Sequence, residues 1–334
     1  MDDKCTKWVA EGGQPSLVAV IVPVFNREER VRQFLDSVWA QTYRPIDLIA
    51  VDDGSTDGTA DAVRNWVASR EGVQSVADGW NFGDRQFVLR YFYQENAGAP
   101  AARNRGVRES QGEFIQFLDS DDELHPERFE KLVPILQETG ADTVHSGFDR
   151  RCGVCGAMLG RYLPPDRKDA VVACLRGELW INTFDFLDRR SLIARIGPWE
   201  ESLVCAQDRD YSLRRLIEAR DVAVVRESLA FCRLNQSDRI SIQKETEAGW
   251  QSRLVGEERF CHEIAARGDA VPDDACNAYA TQLYGIAVRL RTRGLDLLSR
   301  RFGELGALLE RAPLPAGLKR MRAIWQAGSM ACRI

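Results

Sequence analysis

A chain of 334 residues with 44% hydrophobic composition carries enough apolar material for one large core or two modest ones, since single domains hold about 100 to 200 residues. Its net charge of −5 excludes a general nucleic-acid binder, which would carry a basic face over the whole domain. No stretch approaches the roughly 18 to 20 consecutive apolar residues of a membrane helix, so a soluble globular protein is expected. The opening "MDDKCTKW" is acidic and lacks the apolar core of a signal peptide, which leads us to expect a cytoplasmic protein. Nine cysteines, an odd number at scattered spacing, are expected as reduced thiols rather than a disulfide framework. Charge is unevenly placed: from Ala287 to Ile334 ten basic residues face three acidic ones, so the tail meets different surroundings from the front half.

In chain order, "LVAVIVPVF" (Leu17 to Phe25) and "IDLIAV" (Ile46 to Val51) are continuous apolar runs of strand length. Between them Val31, Phe34, Leu35 and Val38 fall at i, i+3, i+4 and i+7, and after the second run Val63, Trp66 and Val67 repeat the pattern, predicting two amphipathic helices. "FVLRYFY" (Phe87 to Tyr93) and "FIQFL" (Phe114 to Leu118) continue the strand series. Strands buried on both faces and joined by helices predict an α/β fold with a mostly parallel sheet and right-handed crossovers. Ligands on such sheets sit beyond the carboxyl ends of the strands, where "PVFN", "DDGSTDG" and "DSDD" stand. Past the fourth strand the pattern becomes α+β, with a Gly and Cys loop at "RRCGVCGAMLGRYLPPDR", a helix-like "QDRDYSLRRLIEA" and the strands "VAVV" and "LAFCRL" leading to "NQSDRIS". From about Lys244 only helical patterns remain, broken at Pro272, Gly294, Pro313 and Pro315.

The segment "FLDSDDELHP" discharges an apolar run into Asp119, Asp121, Asp122 and Glu123. Unpaired carboxylates so close together repel, and a bound cation is one physical answer. Asp122 and Glu123 are read as a solvated first turn before a helix at Pro126, where acids are favoured. "VDDGSTDGTAD" matches the first, third, fifth and sixth places of an EF-hand at Asp53, Ser55, Asp57 and Gly58. Arg64 replaces the bidentate Glu and a strand precedes the loop, so the EF-hand is rejected. Either a strand-to-helix turn capped by Thr56 or Asp57 or a ligand-binding loop remains. No G-x-G-x-x-G follows the first strand and no P-loop exists, which excludes dinucleotide and P-loop chemistry. "PVFNREER" also lacks the Gly-rich basic loop of a sugar nucleotidyltransferase.

Taken together, "VAVIVPVFNREERVRQFLDSVWAQTYRPIDLIAVDDGSTDGT" and "QENAGAPAARNRGVRESQGEFIQFLDSDDELHPERFEKL" resemble the nucleotide-sugar half of family 2 glycosyltransferases with the GT-A fold. The resemblance runs from about Leu17 to Leu136, then in patches, "RRSLIARIGPWEESL" and "AQDRDYSLRRL", to about Ile242. It implies a Rossmann-like GT-A domain over 1–243, with a nucleotide-sugar-binding half at about 17–136 and an acceptor half at 137–243, followed by a helical region at 244–334. It further implies an inverting, metal-dependent enzyme that moves a hexose-type sugar from a nucleoside diphosphate sugar, UDP-linked, to a hydroxyl acceptor. A glycan or lipid-linked acceptor in surface polysaccharide or glycolipid assembly is the commonest setting.

The same resemblance assigns roles. Pro23 and Phe25 border the nucleobase, the ring stacking and backbone carbonyls accepting, while Asp53 accepts from the base N–H. In the D-x-D pair, Asp119 faces the ribose and Asp121 holds the Mg²⁺ or Mn²⁺ that bridges the two phosphates. "NAGAPAARNRG" supplies small residues that let a helix start close to the nucleotide, with Arg103, and behind it Arg105, available for phosphate. Asp208 matches the catalytic base, which takes the acceptor hydroxyl's proton, although Gln207 stands where the family usually has Glu. Asp210 competes for that role, and Asp208 as a mere helix cap above the stripe Leu213, Leu216 and Ile217 is the bland alternative. Asn235 stands where relatives often carry a histidine. A rival reading is a non-catalytic nucleotide-sugar-binding protein that has lost its base.

"CGVCG" at Cys152 and Cys155 is half a zinc knuckle without a second pair, so free thiols in a loop are expected. Trp180 and Trp199 suit either a sugar-stacking or a core role, and core is expected for Trp180. "AGLKRMRAIWQAG" places Leu318, Met321, Ile324 and Trp325 at near-helical spacing beside Lys319, Arg320 and Arg322. The pattern fits a helix on an anionic membrane or, as the favoured reading, one packed on its own domain.

Overall fold

The computed structural model describes residues 16–83, 86–165, 169–234 and 245–331. Along the chain these form β1 (Val18–Val24), α1 (Val31–Trp39), β2 (Ile46–Asp53), α2 (Thr59–Ala68), β3 (Val73–Val76), β4 (Gly79–Phe82), β5 (Phe87–Gln94) and α3 (Ala99–Glu109). Next come β6 (Phe114–Phe117), β7 (Glu123–Leu124), α4 (Arg128–Thr139), β8 (Thr143–Cys152), β9 (Met158–Tyr162) and α5 (Ala170–Leu175). They are followed by β10 (Phe186–Arg189), α6 (Arg190–Ile196), α7 (Gln207–Glu218) and β11 (Val222–Leu234). The last helices are α8 (Glu247–Ala266), α9 (Asp273–Arg291), α10 (Asp296–Leu309) and α11 (Ala316–Ala331). The chain divides into two compact units: Met1–Pro164 with Asn182–Glu201 and Ala219–Ser237, and Pro165–Ile181 with Ser202–Glu218 and Asp238–Ile334.

The first unit is built on a sheet that contains eleven strands among the described residues, in the order β3-β4-β5-β2-β1-β6-β10-β8-β11-β7, with β9 on β8. Its centre, β5-β2-β1-β6, is all parallel, as the unbroken apolar runs require. β1 and β2 are buried at every position because both faces are covered. α1 buries Val31, Phe34, Leu35 and Val38, and α2 buries Val63, Trp66 and Val67. The antiparallel hairpin β3–β4 was not readable, because β3 is polar and largely exposed. β4 nevertheless adds Phe82 to an edge-to-face cluster with Trp39, Trp66 and Phe87, contacts that add to area burial.

Two local facts set the edge of the sheet. Pro23 is the penultimate residue of a central strand, yet it breaks no hydrogen bond: the β1–β6 ladder ends at Ile21↔Phe117, so the N–H that proline lacks has no β6 strand beside it. α3 crosses β1 closely because Gly106 faces it; a Cβ there would stand 2.3 Å from Ile21 Cγ2.

The second unit is helical. Phe260, Tyr279, Leu283, Tyr284, Leu290, Phe302 and Leu309 form its interior. The helix breaks fall where Pro272, Gly294 and the Pro313/Pro315 pair predict them. α11 turns its apolar stripe inward: Leu318 is buried, the Trp325 ring packs on Tyr284 at 5.3 Å and over Gly303, and Arg291 donates to the Ile324 carbonyl at 3.0 Å. The favoured packed reading of this helix therefore describes what is seen. Ile324 remains exposed.

Candidate functional site

β1, β2 and β6 run parallel and end on one edge of the sheet. Leu118 extends the β6 ladder by one bond, its N–H donating to the Ile21 carbonyl at 3.1 Å. The chain then turns, and Asp122 N–H donates to the Asp119 carbonyl at 3.0 Å. The turn gathers the acids: one carboxylate oxygen from each of Asp119, Asp121 and Asp122 lies within 4.8 Å of the others, a grouping found nowhere else among the described residues. Crowding of this kind is favourable when a hard dication shares the oxygens. Buried Arg128 supports the base of the turn by donating to Gln116 Oε1 (2.9 Å), Ser146 Oγ (2.8 Å) and the Phe184 carbonyl (2.5 Å). Burial pulls its pKa down to about 10, still charged at neutral pH.

The expectation that Asp122 and Glu123 form a solvated first turn of a helix is corrected. Asp122 is buried and its Oδ1 accepts from Arg233 N–H at 3.1 Å. Glu123 and Leu124 are β7, paired antiparallel with β11, and the Glu123 carboxylate takes the Arg233 side chain. The following helix starts only at Arg128. The partner strand is more than a hundred residues away, so nothing local announced it.

Asp119 is one-third exposed at its side chain; it accepts from Arg103 Nη2 at 2.6 Å and from Thr183 Oγ1 at 3.0 Å. Arg103, 5% exposed, lies between this carboxylate and the Trp199 ring, 4.4 Å from the ring centroid, a cation–π arrangement. The next residue, Asn104, grips Trp199 through its backbone, accepting from the N–H (2.8 Å) and donating to the carbonyl (3.0 Å). α3 thus supplies both the arginine and the clamp for the ring beneath it. The expectation of a core role for Trp180 is corrected, since Trp180 is 48% exposed; Trp199, for which either role was open, is the core residue at 3% exposed. Arg105 instead donates to the Tyr93 carbonyl at 2.6 Å.

Asp53, 3% exposed, closes the loop ahead of α3. Its Oδ1 accepts from Gln94 Nε2 (2.8 Å) and Ala97 N–H (2.9 Å), and its Oδ2 from Gly98 N–H (2.8 Å). Three of about four lone-pair positions are filled. Gly54, at φ +83°, admits this approach, since a Cβ would meet Asn96 N at 2.8 Å. Ser55 and Asp57 are taken up locally: Ser55 Oγ accepts from Asn26 N–H (2.9 Å), and Asp57 Oδ1 accepts from Thr59 N–H (3.0 Å) at the start of α2. Burial pushes the Asp57 carboxyl up, but hydrogen bonds from Thr59 and Glu28 prevail and hold it below its usual range. Pro23 is buried in β1, whereas Phe25 is 45% exposed at the strand end. Arg27, unmarked by any sequence argument, donates from Nε to Ser120 Oγ at 3.1 Å inside the acidic turn. Thr183 and Asn104 carried no signal either, because their partners are distant in sequence.

In the second unit Asp208 stands in the first turn of α7, half-buried, with its Oδ1 accepting from Arg209 N–H at 2.8 Å. Asp210 is 2% exposed and sealed: Oδ2 accepts from Arg214 Nε (3.0 Å) and Nη2 (2.8 Å), and Oδ1 from Arg259 Nη1 (3.2 Å). Gln207 is buried and donates to the Leu203 carbonyl at 3.0 Å. Arg209 Nε donates to the fully buried Glu257 at 2.7 Å and Nη2 to Tyr279 Oη at 2.7 Å. Burial pushes the Glu257 carboxyl up, but Arg209 and Arg253 outweigh it and hold its pKa at about 2. Asn235 lies outside the described residues.

The family described as glycosyl transferase family 2 matches residues 19–191, more than half of the chain. This chain belongs to glycosyl transferase family 2. Among curated relatives, an uncharacterized glycosyltransferase of Rickettsia conorii is 31% identical over 203 residues, 58% of this chain and 30% of that protein. The uncharacterized glycosyltransferase EpsJ of Bacillus subtilis is 27% identical over 227 residues, 66% of this chain and 61% of the relative. The chain thus spans only about 30% of the length of the first relatives it matches. Among solved structures, S. aureus TarS 1-349 in complex with UDP-GlcNAc aligns with a TM-score of 0.60 at 15% identity, covering 94% of this chain and 92% of that one. The mannosyltransferase PcManGT from Pyrobaculum calidifontis in complex with GDP-Man and Mn²⁺ aligns at 0.51 and 18% identity, covering 91% and 86%. At these identities the likeness concerns the fold: this family 2 member has the expected GT-A type of architecture, with helices following at the C-terminal end.

Proposed function

We propose that the chain is an inverting glycosyltransferase that moves a sugar from a nucleoside diphosphate sugar to a hydroxyl acceptor. The observation that carries this reading is the acidic turn after β6, with three carboxylates drawn together beside the Arg103–Asp119 pair. An all-oxygen donor set of this kind fits Mg²⁺ or Mn²⁺. Asp121, half-buried in the turn, holds the ion in this reading, and Asp122, braced by Arg233, limits its movement. When bound, such an ion neutralises charge developing on the departing diphosphate.

The chain's own groups do the rest. Phe25 offers an exposed ring for the base beside the carbonyl of Pro23, and the one unfilled lone-pair position on Asp53 accepts from the base. Asp119, oriented by Arg103 and Thr183, faces the ribose, and the Arg103 guanidinium supplies positive charge for the phosphates. We read the donor as a UDP-linked hexose, the ligand class of the TarS complex. Asp208 is the base: among the described residues its half-exposed carboxylate is bonded only within its own turn, whereas Asp210 is committed to two guanidiniums. The acceptor is a glycan or lipid-linked hydroxyl in surface polysaccharide or glycolipid assembly on the cytoplasmic side of a membrane. Because the stripe of α11 is used internally, peripheral contact rests on the exposed Lys319 and Arg320 and is electrostatic, so it weakens with salt.

Thermal-shift titration with nucleotide sugars, with and without Mn²⁺, tests donor binding, since a ligand of the folded state raises Tm by mass action. Donor hydrolysis in the same mixtures tests catalysis. Stabilisation by a nucleotide sugar without any turnover would instead support the rival, a binding protein that has lost its base.

A further inference from the structure

The sequence "RRCGVCGAM" is absorbed by none of the chemistry above. Cys152 ends β8, and Cys155 stands in the turn before β9, which pairs back antiparallel onto β8. The turn is closed on both sides: Cys152 N–H donates to the Ala157 carbonyl at 2.8 Å and Gly156 N–H to the Cys152 carbonyl at 2.9 Å. Gly156 takes φ +73° with open space around it. The closed turn carries Cys155 three residues after Cys152 on the same hairpin tip, and hydrogen bonding from the Cys155 and Val154 N–H groups and the Cys155 thiol holds the Cys152 thiol below its usual range. Neighbouring Val154 is 86% exposed, Cys155 is exposed and Cys152 is half-buried. The tip is therefore open to a small reagent.

We propose that Cys152 and Cys155 form a reversible dithiol–disulfide site at the tip of the β8–β9 hairpin, with Cys152 the attacking sulfur and Cys155 the resolving one. Thiolates, not thiols, attack disulfides, and the two backbone N–H donors at the Cys152 sulfur stabilise its thiolate, lowering its pKa below the usual value. The reaction takes a low-molecular-weight disulfide as oxidant. Cys152 thiolate attacks one of its sulfurs and forms a mixed disulfide, and the expelled thiolate takes up the proton that Cys152 released. Cys155, deprotonated in turn, attacks the Cys152 sulfur and expels the second small thiolate, which takes up that proton. Two protein thiols become one disulfide, and one small disulfide becomes two thiols. A zinc knuckle would need further ligands, and among the described residues no third His, Cys, Asp or Glu joins this pair. The other described cysteines, Cys174, Cys205, Cys232, Cys261 and Cys276, are buried. Burial pushes the Cys174 thiol up to about 11 and raises that of Cys261 further, which keeps both unreactive.

The test equilibrates the full chain in glutathione buffers of graded reduced-to-oxidised ratio, quenches with acid, alkylates and maps the peptides by mass spectrometry. The expected result is a disulfide between Cys152 and Cys155 that dithiothreitol reverses, with the buried cysteines alkylated only after unfolding. Cys155→Ser should accumulate a glutathione adduct on Cys152, whereas Cys152→Ser should form an adduct on Cys155 at least several-fold more slowly. The proposal is overturned if the tip of the unaltered chain stays a dithiol under oxidised glutathione and diamide. It is also overturned if the two single variants form adducts at equal rates, or if the purified protein carries stoichiometric zinc that protects both thiols until a chelator removes it.

Discussion

Replacing Asp53 by Ala separates two roles that one carboxylate is asked to fill. The side chain accepts from Gln94 Nε2, Ala97 N–H and Gly98 N–H, and its removal strands all three donors. Hydrogen bonds to a charged group contribute about 1.5 to 3 kcal/mol each when buried. Ala97 is exposed, so water replaces part of the loss and about 1 kcal/mol per bond is the appropriate scale, roughly 3 kcal/mol in all. For a domain of about 150 to 250 residues each kcal/mol lowers Tm by about 2 to 4 °C, giving a fall of about 6 to 12 °C. Scanning calorimetry of Asp53→Ala measures this, and titration with UDP and Mn²⁺ on the same protein should show weaker binding, because the loop that starts α3 is no longer held. A Tm within about 1 °C of the parent would refute the argument that this carboxylate clasps the loop. Lost nucleotide binding alongside that unchanged Tm would leave it a ligand contact alone.

Asp121→Asn should abolish transfer and remove the Mn²⁺ dependence of UDP binding, and undiminished metal dependence in an equilibrium titration would move the ion elsewhere. Asp208→Asn should leave donor binding within a few-fold while lowering turnover by about 10² or more. Asp210→Asn should be milder in turnover but should lower Tm, since it unbalances two guanidiniums around a buried group; reversed turnover effects in steady-state assays would exchange the assignments. Glu257 is held below its unfolded pKa, so its contribution to stability is fully present above about pH 4.5 and is lost as pH falls toward its folded value of about 2. Glu257→Gln should flatten the acid limb of a Tm-against-pH curve in that window, and an unchanged limb would show that the Arg209–Glu257 pair is not a source of acid sensitivity.

The parts legible in the sequence are those whose cause is local. Val31, Phe34, Leu35 and Val38 meet the core together because helical period alone puts them on one side, and the unbroken run of β1 can only be a strand covered on both faces. The acids at 119 to 122 were legible as a group because repulsion between them is a property of neighbours. What was not legible depends on partners far along the chain. Nothing near Asp122 shows that Arg233 will donate to it, nothing near Asp119 foretells Thr183, and nothing in "QDRDYS" shows that Arg259 will seal Asp210 and leave Asp208 the more accessible carboxylate. Trp180 was misjudged for the same reason: an indole's environment is set by what crosses it, and Asn104 and Arg103 cross Trp199.

The proline in β1 has a consequence for where the acidic turn falls. In a parallel ladder the rung after Leu118 N–H to Ile21 carbonyl would run from the N–H of residue 23 to the carbonyl of Leu118, and Pro23 has no hydrogen to place there. β6 therefore gains nothing by staying extended past Phe117, and the chain is released to bend at the first residue able to fold its carboxylates inward. The depth of the turn along the sheet is thus dictated from the neighbouring strand, about ninety-five residues earlier in the chain, rather than by the aspartates themselves. Any residue with an N–H at position 23 would offer β6 one more rung and draw Asp119 toward the sheet.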